Sequence, residues 1–506
     1  LEIDAAANAS IDFPRGAVGR PCCLRGEGKS AESGAPHRLY SYIMKKIAII
    51  GGGAAGLAAA IAAGNELSRL DAANECEIVL FEADTERVGR SILATGNGRC
   101  NFSNAHIDPA CYRNADFVEA ALRSLARLSE VSEWGSAQPV GAYGTSVQGS
   151  AQPAGAFEAP GRESAQSASV FEAPVQRFFF DLGLMWREEG EGRMYPAANK
   201  ASSVLEVLRA ALDASGARVE FGKALSAIEL PAKGKTRFHL RFSDGSIAHA
   251  EKVVLAVGGR GMSAVDMPSA IPCEPTRPVL GPLATDSRIT RQLNNIRVKC
   301  AVSLERSGSL VAREEGELLF RDYGVSGVCV FNLSRLAREG DVLSIDFLPH
   351  MPSADRDAWL FARRKHLSAR LGENGQIAAE DVLRGAMLPQ VAQVLCKCVG
   401  IDPARPLSKK DVLALSRVIG GLRLTVRGIG DAKQCQVSRG GLSVAAFDPQ
   451  TMEAMCASGL FAAGEALDVD APCGGYNLHW AWSSGLLAGV SAARSAVSAD
   501  GEGKGK

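Results

Sequence analysis

The chain has 506 residues, 46% of them apolar and 22% charged, with Lys+Arg and Asp+Glu equal at 56 each. Such a length exceeds one ordinary domain and supplies ample core for a globular protein. The balanced charge leaves no electrostatic footprint for nucleic acid or an anionic membrane, so neither is an expected partner.

Residues 1–44 lack periodicity and any apolar signal-like core. They are expected to be a disordered extension, with Met44 as the functional start. Ile47 to Gly64, IAIIGGGAAGLAAAIAAG, is free of charge and follows Lys45-Lys46, mimicking a signal peptide or membrane span. Its consecutive glycines argue against one uninterrupted helix. The expectation is instead a strand KKIAII, a helix from Ala54 to about Leu70, and a second strand in EIVLFEA. This βαβ unit predicts a parallel sheet. Helical patterns follow around 116–134 and 175–183. Between them, 135–174 holds the near-repeat GSAQPVGAYG and GSAQPAGAFE, whose composition cannot offset its ordering entropy, so it reads as a disordered insertion.

A helix is predicted over 202–215, and Asp244-Gly245 marks a hairpin in TRFHLRFSDGSIAHAEKVVLAV. From 275 to 426 short strands precede helical stretches around 355–372, 378–398 and 408–419, the pattern of an inserted cap for the substrate. The chain then returns to a strand–turn–helix over 427–496, with a flexible tail at 497–506. The dinucleotide-binding domain is therefore expected in three parts: 45–134, 175–274 and 427–496. Thirteen cysteines stand without a CxxC pair, which fits reduced thiols in the cytoplasm and predicts no metal site.

Gly51, Gly53 and Gly56 fit GxGxxG directly after a strand and at the start of an Ala-rich helix, the context that makes the motif meaningful. Glycines there permit a tight turn and close approach of a diphosphate to free N–H groups at the helix N-terminus. Glu82 ends the second strand, where a carboxylate accepts hydrogen bonds from an adenosine ribose. No second fingerprint follows a strand. The polar loop after Glu82, GRSILATGNGRCNFSN, could lie along an extended cofactor and offer Asn97, Arg99 and backbone N–H groups to phosphate and ribityl oxygens. That points to FAD, bound non-covalently, with NAD(P)H docking only transiently as a possible donor.

These stretches, together with EEGEGRMYPAANKASSVLEVL, ELLFRDYGVSG, QVSRGGL and GLFAAGEALDVDAPCGGYNLHWAWSSGLLAG, resemble the HI0933-like (YhiN-like) flavoproteins. Those are NAD(P)/FAD-dependent oxidoreductases that include aminoacetone-oxidase-like and BaiN-like members. The resemblance spans about 45–495 outside the insertion. The cofactor set expected from motif and resemblance is Gly51, Gly53, Ala54, Ala55, Gly56, Glu82, Asn97, Gly98, Arg99, Cys100, Gly258, Gly464, Glu465, Asp468, Gly475, Tyr476 and Asn477. Tyr195, Tyr323 and Tyr476 are the candidate substrate-side residues, while Trp480 and Trp482 are expected to pack. The resemblance implies hydride exchange at the flavin. The favoured reaction is NAD(P)H-driven reduction of an enone-like C=C in a small molecule. An oxidase of amines or amino ketones using O₂ and a non-catalytic flavin sensor are the alternatives.

Overall fold

The computed structural model describes residues 44–131, 171–371 and 376–498. Lys45–Ile50 (β1), Ala54–Arg69 (α1) and Cys76–Phe81 (β2) form the expected unit, with β1 and β2 parallel from Lys45↔Cys76 to Ile50↔Phe81. The uncharged run Ile47–Gly64 is thus two elements broken at its glycines. Among the described residues no helix is long and apolar enough to cross a membrane. The sheet has five parallel strands in the order Leu460–Ala462, Lys252–Leu255, β1, β2, Arg218–Glu220. Its central strands are almost wholly buried, which is why IAII and KVVL read as continuous apolar runs rather than alternating ones.

Against this sheet α1 packs on the C-terminal helix Tyr476–Ser498 at backbone contact. A Cβ on Gly485 would stand 2.3 Å from Ala55 O, and one on Gly489 would stand 2.2 Å from Ala59 O. Only glycine fits those crossings. Glu66, fully buried, ties the two helices by accepting from Arg69 at 2.8 Å and from Arg494 at 2.6 Å. Helices Ala115–Val131, Ala173–Asp181 and Ala201–Ala214 lie within a few residues of expectation. The second of them begins inside the stretch expected to be an insertion. Glu172 is buried there and accepts from Ile107 N–H, and Phe171 lies under the Arg123 guanidinium. The rest of that stretch, and the expected N-terminal extension up to 43, fall outside the described residues. The C-terminal helix runs to Ser498, two residues into the expected tail.

The inserted segment closes a six-stranded barrel, which the sequence reading did not foresee. Its strands run in the order Leu283–Thr285, Gly324–Ser326, Ser309–Arg321, Arg297–Arg306, Val342–Asp346, Leu422–Ile429. Strand Leu422–Ile429 alternates buried and exposed residues, as a barrel wall requires. Helices Ser353–Leu371, Ala379–Leu383, Pro389–Cys398 and Lys409–Ile419 share the barrel's apolar core. One helix was expected over 378–398, and two are present. Leu388, extended at φ −62°, ψ 142°, precedes Pro389, and the proline ring disfavours the helical region for the residue before it. Strand Cys273–Val279 leads into the barrel and Val437–Leu442 leads out; the two pair antiparallel.

Candidate active site: a row of glycine turns at the sheet edge

The parallel register sets Ala462, Leu255, Ile50 and Phe81 side by side at the carboxyl ends of their strands. Ligands bind in the crevice beyond such ends in open α/β sheets. Each strand continues into a feature that the sequence singled out: Gly464-Glu465, Gly258-Gly259, Gly51–Gly56 and Glu82. Four segments far apart in the chain therefore meet in one row.

Gly51 has φ +101°, and a Cβ there would sit 2.5 Å from Ala256 O; a Cβ on Gly56 would sit 1.7 Å from Gly51 O. Gly53 caps α1 without any side-chain hydrogen bond, and the first bond of the helix runs from Leu57 N–H to Gly53 O at 2.9 Å. The N–H groups of Ala54, Ala55 and Gly56 thus have no helical acceptor and suit an anion. Glu82, half-buried, accepts from Gly52 N–H at 2.6 Å and from Asp84 N–H at 2.7 Å, one to each oxygen. An ionised carboxylate has about four acceptor sites, so room remains for ribose hydroxyls.

On the other side of the row Glu465 accepts from Ser438 N–H at 3.2 Å. Burial pushes its carboxyl up to about 7, against the lowering effect of that bond and of Arg260. Gly258 has φ +70° and open space where a Cβ would point. Gly464, at φ +64°, donates its N–H to Ser484 Oγ at 2.9 Å and accepts from Trp480 Nε1–H at 3.1 Å. Trp482 Nε1–H donates to Phe102 O at 2.9 Å, so both tryptophans are buried braces, as expected.

The stretch Gly89–Asn104, expected to be a loop throughout, opens with a short helix, Arg90–Ala94, and owes its glycines and asparagine to backbone geometry. Gly89, Gly96, Asn97, Gly98 and Cys100 all have positive φ, from 55° to 80°, where glycine and asparagine are at least cost. Arg99 is committed within the protein: it pairs with Glu189, donates to Asn199 Oδ1 and stacks 4.0 Å above the Tyr195 ring. Its expected reach to a phosphate therefore gives way to a structural tie between this loop and the strands Trp186–Glu189 and Arg193–Pro196. Asn97 is exposed, and Cys100 is buried with its thiol raised to about 11 by desolvation. Asn101 was missed. Its Oδ1 is buried without a partner, 3.1 Å from where a Cβ on Gly475 would lie. Its signal was its place directly after the left-handed run.

Asp468 and Asn477 brace the last loop. Asp468 accepts from Arg113 and from Gly440 N–H, each at 2.8 Å, while Asn477 holds Ala471 through both its N–H and its carbonyl. Cys473's thiol, pushed up to about 12 by burial, stays protonated. The three tyrosines are not gathered. Tyr476 donates its hydroxyl to His106 O at 2.9 Å, and burial raises that phenol to about 12. Tyr323 lies in the barrel with its ring against Gly430, and its hydroxyl is buried without a well-aligned acceptor. Tyr195 sits under Arg99. Packing thus accounts for Tyr195 and Tyr476 but leaves the Tyr323 hydroxyl without a partner, and no ring contact joins the three among the described residues. His479, which stands where the family resemblance suggests Gln, is fully buried: its Nε2–H donates to Phe171 O at 3.1 Å and Nδ1 accepts from Ser103 Oγ at 2.9 Å. The carbonyl fixes this tautomer, and desolvation lowers the ring to about 3, so it is neutral.

The free N–H groups of α1, the Glu82 carboxylate and the orphaned Asn101 oxygen fit an extended, diphosphate-bearing cofactor. A crevice so lined suits the dinucleotide of a Rossmann-type flavoprotein, and the protein belongs to the class of FAD-dependent oxidoreductases. A family model described as HI0933-like protein Rossmann domain matches residues 161–491. Over 468 residues the chain is 30% identical to the 3-dehydro-bile acid delta(4,6)-reductase of Clostridium scindens, covering 89% of this chain and 99% of that protein. It is 26% identical over 463 residues to the ribosomal RNA dihydrouridine synthase of Escherichia coli, covering 86% and 95%. It is 24% identical over 467 residues to the Haemophilus influenzae protein of the same description, covering 88% and 98%. The chain belongs to the HI0933-like family.

Proposed function

We propose that this protein reduces an activated C=C, one conjugated to a carbonyl, in a small organic substrate. The observation that carries the reading is full-length similarity to a reductase of such a bond, on a chain that keeps the whole row of turns. When bound, FAD supplies hydride exchange with the substrate. The chain's own residues hold and orient it. Gly51, Gly53 and the first turn of α1 take the diphosphate, Glu82 the adenosine ribose, and Glu465 with Gly258 the sugar-alcohol chain. Gly464, Gly475 and Asn101 let backbone and one amide oxygen approach the ring. NAD(P)H is the proposed donor, docking transiently because no second fingerprint provides a fold for it. The absence of a gathered acid–base set among the described tyrosines leaves little for amine oxidation to use.

The dihydrouridine synthase relatives support a second reading of the same chemistry. The C5=C6 bond of uracil is conjugated to a carbonyl, so its reduction is the same reaction on a nucleotide. An open groove lined by Arg364, Lys365 and Lys409 on the barrel's helices offers cations for a phosphate chain. Anaerobic titration of the holoenzyme with NADH and NADPH, followed by reoxidation with enones, uridine or O₂, tests both. Bleaching by a nicotinamide and recovery by an enone or uridine is the expected result. Recovery by O₂ alone, with an amine as the reductant, refutes the reductase reading.

A further inference from the structure

Five arginines converge where the barrel meets the sheet domain, and the two carboxylates among them are already paired with three of the five. Asp470, with no accessible surface, takes Arg439 at 2.7 and 2.8 Å and Arg335 at 2.6 Å. Asp468 takes Arg113 at 2.8 Å. Arg439 also donates to Arg335 O at 2.6 Å, which fixes the pair as a rigid unit. Arg277 stands directly across the strand pair from Arg439. It is exposed, its one hydrogen bond, to Arg335 O, is stretched to 3.4 Å, and it makes no ion pair among the described residues. Like charges directly opposite each other on paired strands repel. Packing holds Arg277 below its ordinary pKa, with smaller lowering contributions from Arg439, Arg113 and Arg338 that Asp470 opposes. The same chain that carries Asp468 and Asp470 continues directly to Gly474 and Gly475, which line the candidate flavin site.

We infer that Arg277, backed by Arg439 and Arg335, is a recognition site for an anionic group carried by the substrate, a carboxylate or a phosphate, away from the bond that reacts. A guanidinium presents a rigid donor fork that matches either oxyanion, and the rigid Arg335–Asp470–Arg439 unit behind it limits the ordering cost of binding. Arg277 is thus a specificity-determining residue that touches the substrate's tail rather than its double bond. The identity of the reacting end rests on the reductase reading; the anion preference does not.

The test uses the FAD holoenzyme and two matched pairs of probes: a cyclohexenone carboxylate with its methyl ester, and uridine 5′-monophosphate with uridine. Binding is read first, without turnover, as the perturbation of the oxidised flavin spectrum on titration; turnover is read separately. Wild type is expected to bind at least one anionic probe about tenfold or more tightly than its neutral partner. Arg277→Gln should erase that preference by raising the Kd and KM of the anion while leaving kcat and the neutral probe unchanged. Arg277→Lys should restore part of it. The pair that responds tells carboxylate from phosphate. Equal affinity for charged and neutral probes in wild type, or equal losses for both in Arg277→Gln, overturns the proposal. A binding preference that depends on Arg277 with no reduction of any probe would leave the anion site standing and refute the reductase reading alone.

Discussion

Replacing Glu82 by alanine separates the observed job of this carboxylate, bracing the glycine turn, from the proposed one, binding the adenosine ribose. Each of its oxygens takes a backbone N–H, Gly52 at 2.6 Å and Asp84 at 2.7 Å, so the group holds the glycine turn. A hydrogen bond to a charged group contributes about 1.5–3 kcal/mol when solvent is excluded. Glu82 is only half-buried, so water replaces part of each bond, and the apo-protein is expected to lose about 2–4 kcal/mol in urea unfolding. Loss of the ribose contact should separately weaken FAD by about 10- to 150-fold, at roughly 1.4 kcal/mol per decade. Glu82→Gln keeps one acceptor but turns an amide N–H₂ toward a backbone N–H, and so should recover little of either. The assay is flavin fluorescence during FAD titration of apo-protein, run beside the unfolding curves. An unchanged FAD dissociation constant in a variant that has lost stability refutes the ribose role and leaves Glu82 as a turn brace alone.

Gly485→Ala would drive a methyl within 2.3 Å of Ala55 O; forcing α1 and the C-terminal helix apart should cost about 1–3 kcal/mol or more, seen as a lower urea midpoint. Asp470→Asn removes the charge shared by Arg335 and Arg439 in a fully buried site and is expected to cost about 3–5 kcal/mol; a loss under 1 kcal/mol would show that the cluster tolerates its own repulsion. Glu465 titrates near 7 in the folded apo-protein against 4.5 as an ordinary glutamate, so the folded state holds the extra proton between those values. Apo stability should therefore fall as pH rises from 4.5 to 7, by at most about 3 kcal/mol from this group, and Glu465→Gln should flatten that slope. His479 has the opposite sign: its folded pKa of about 3 lies below 6.5, so stability is lost as pH falls between those values. His479→Gln should remove this acid sensitivity, read as urea midpoint against pH.

Local physics made the nucleotide half of this protein legible from the chain. A strand ending in IAII, three glycines and an alanine-rich helix can form little other than a βαβ turn, and Glu82 follows from the strand that must lie beside it. The glycines and asparagines of Gly89–Asn104 announced a non-helical polar stretch, and the structure shows five of its residues at positive φ, where glycine and asparagine are least strained. The break at Pro389 was equally local, and the sequence reading passed over it. Barrel closure was different in kind. It depends on pairings such as Leu283↔Ile429, between residues remote in the chain, and no short-range pattern encodes which strands will meet. The fate of Arg99 and of the tyrosines was likewise decided by partners from elsewhere: Glu189 and Asn199 for Arg99, His106 for Tyr476, Gly430 for Tyr323. The sequence by itself determined the fold class and the glycine turns, because those follow from backbone sterics within a few residues. Only the tertiary structure decided which charges are paired within the protein and which, like Arg277, have no ion pair among the described residues, because the partner of a long polar side chain is set by the whole fold.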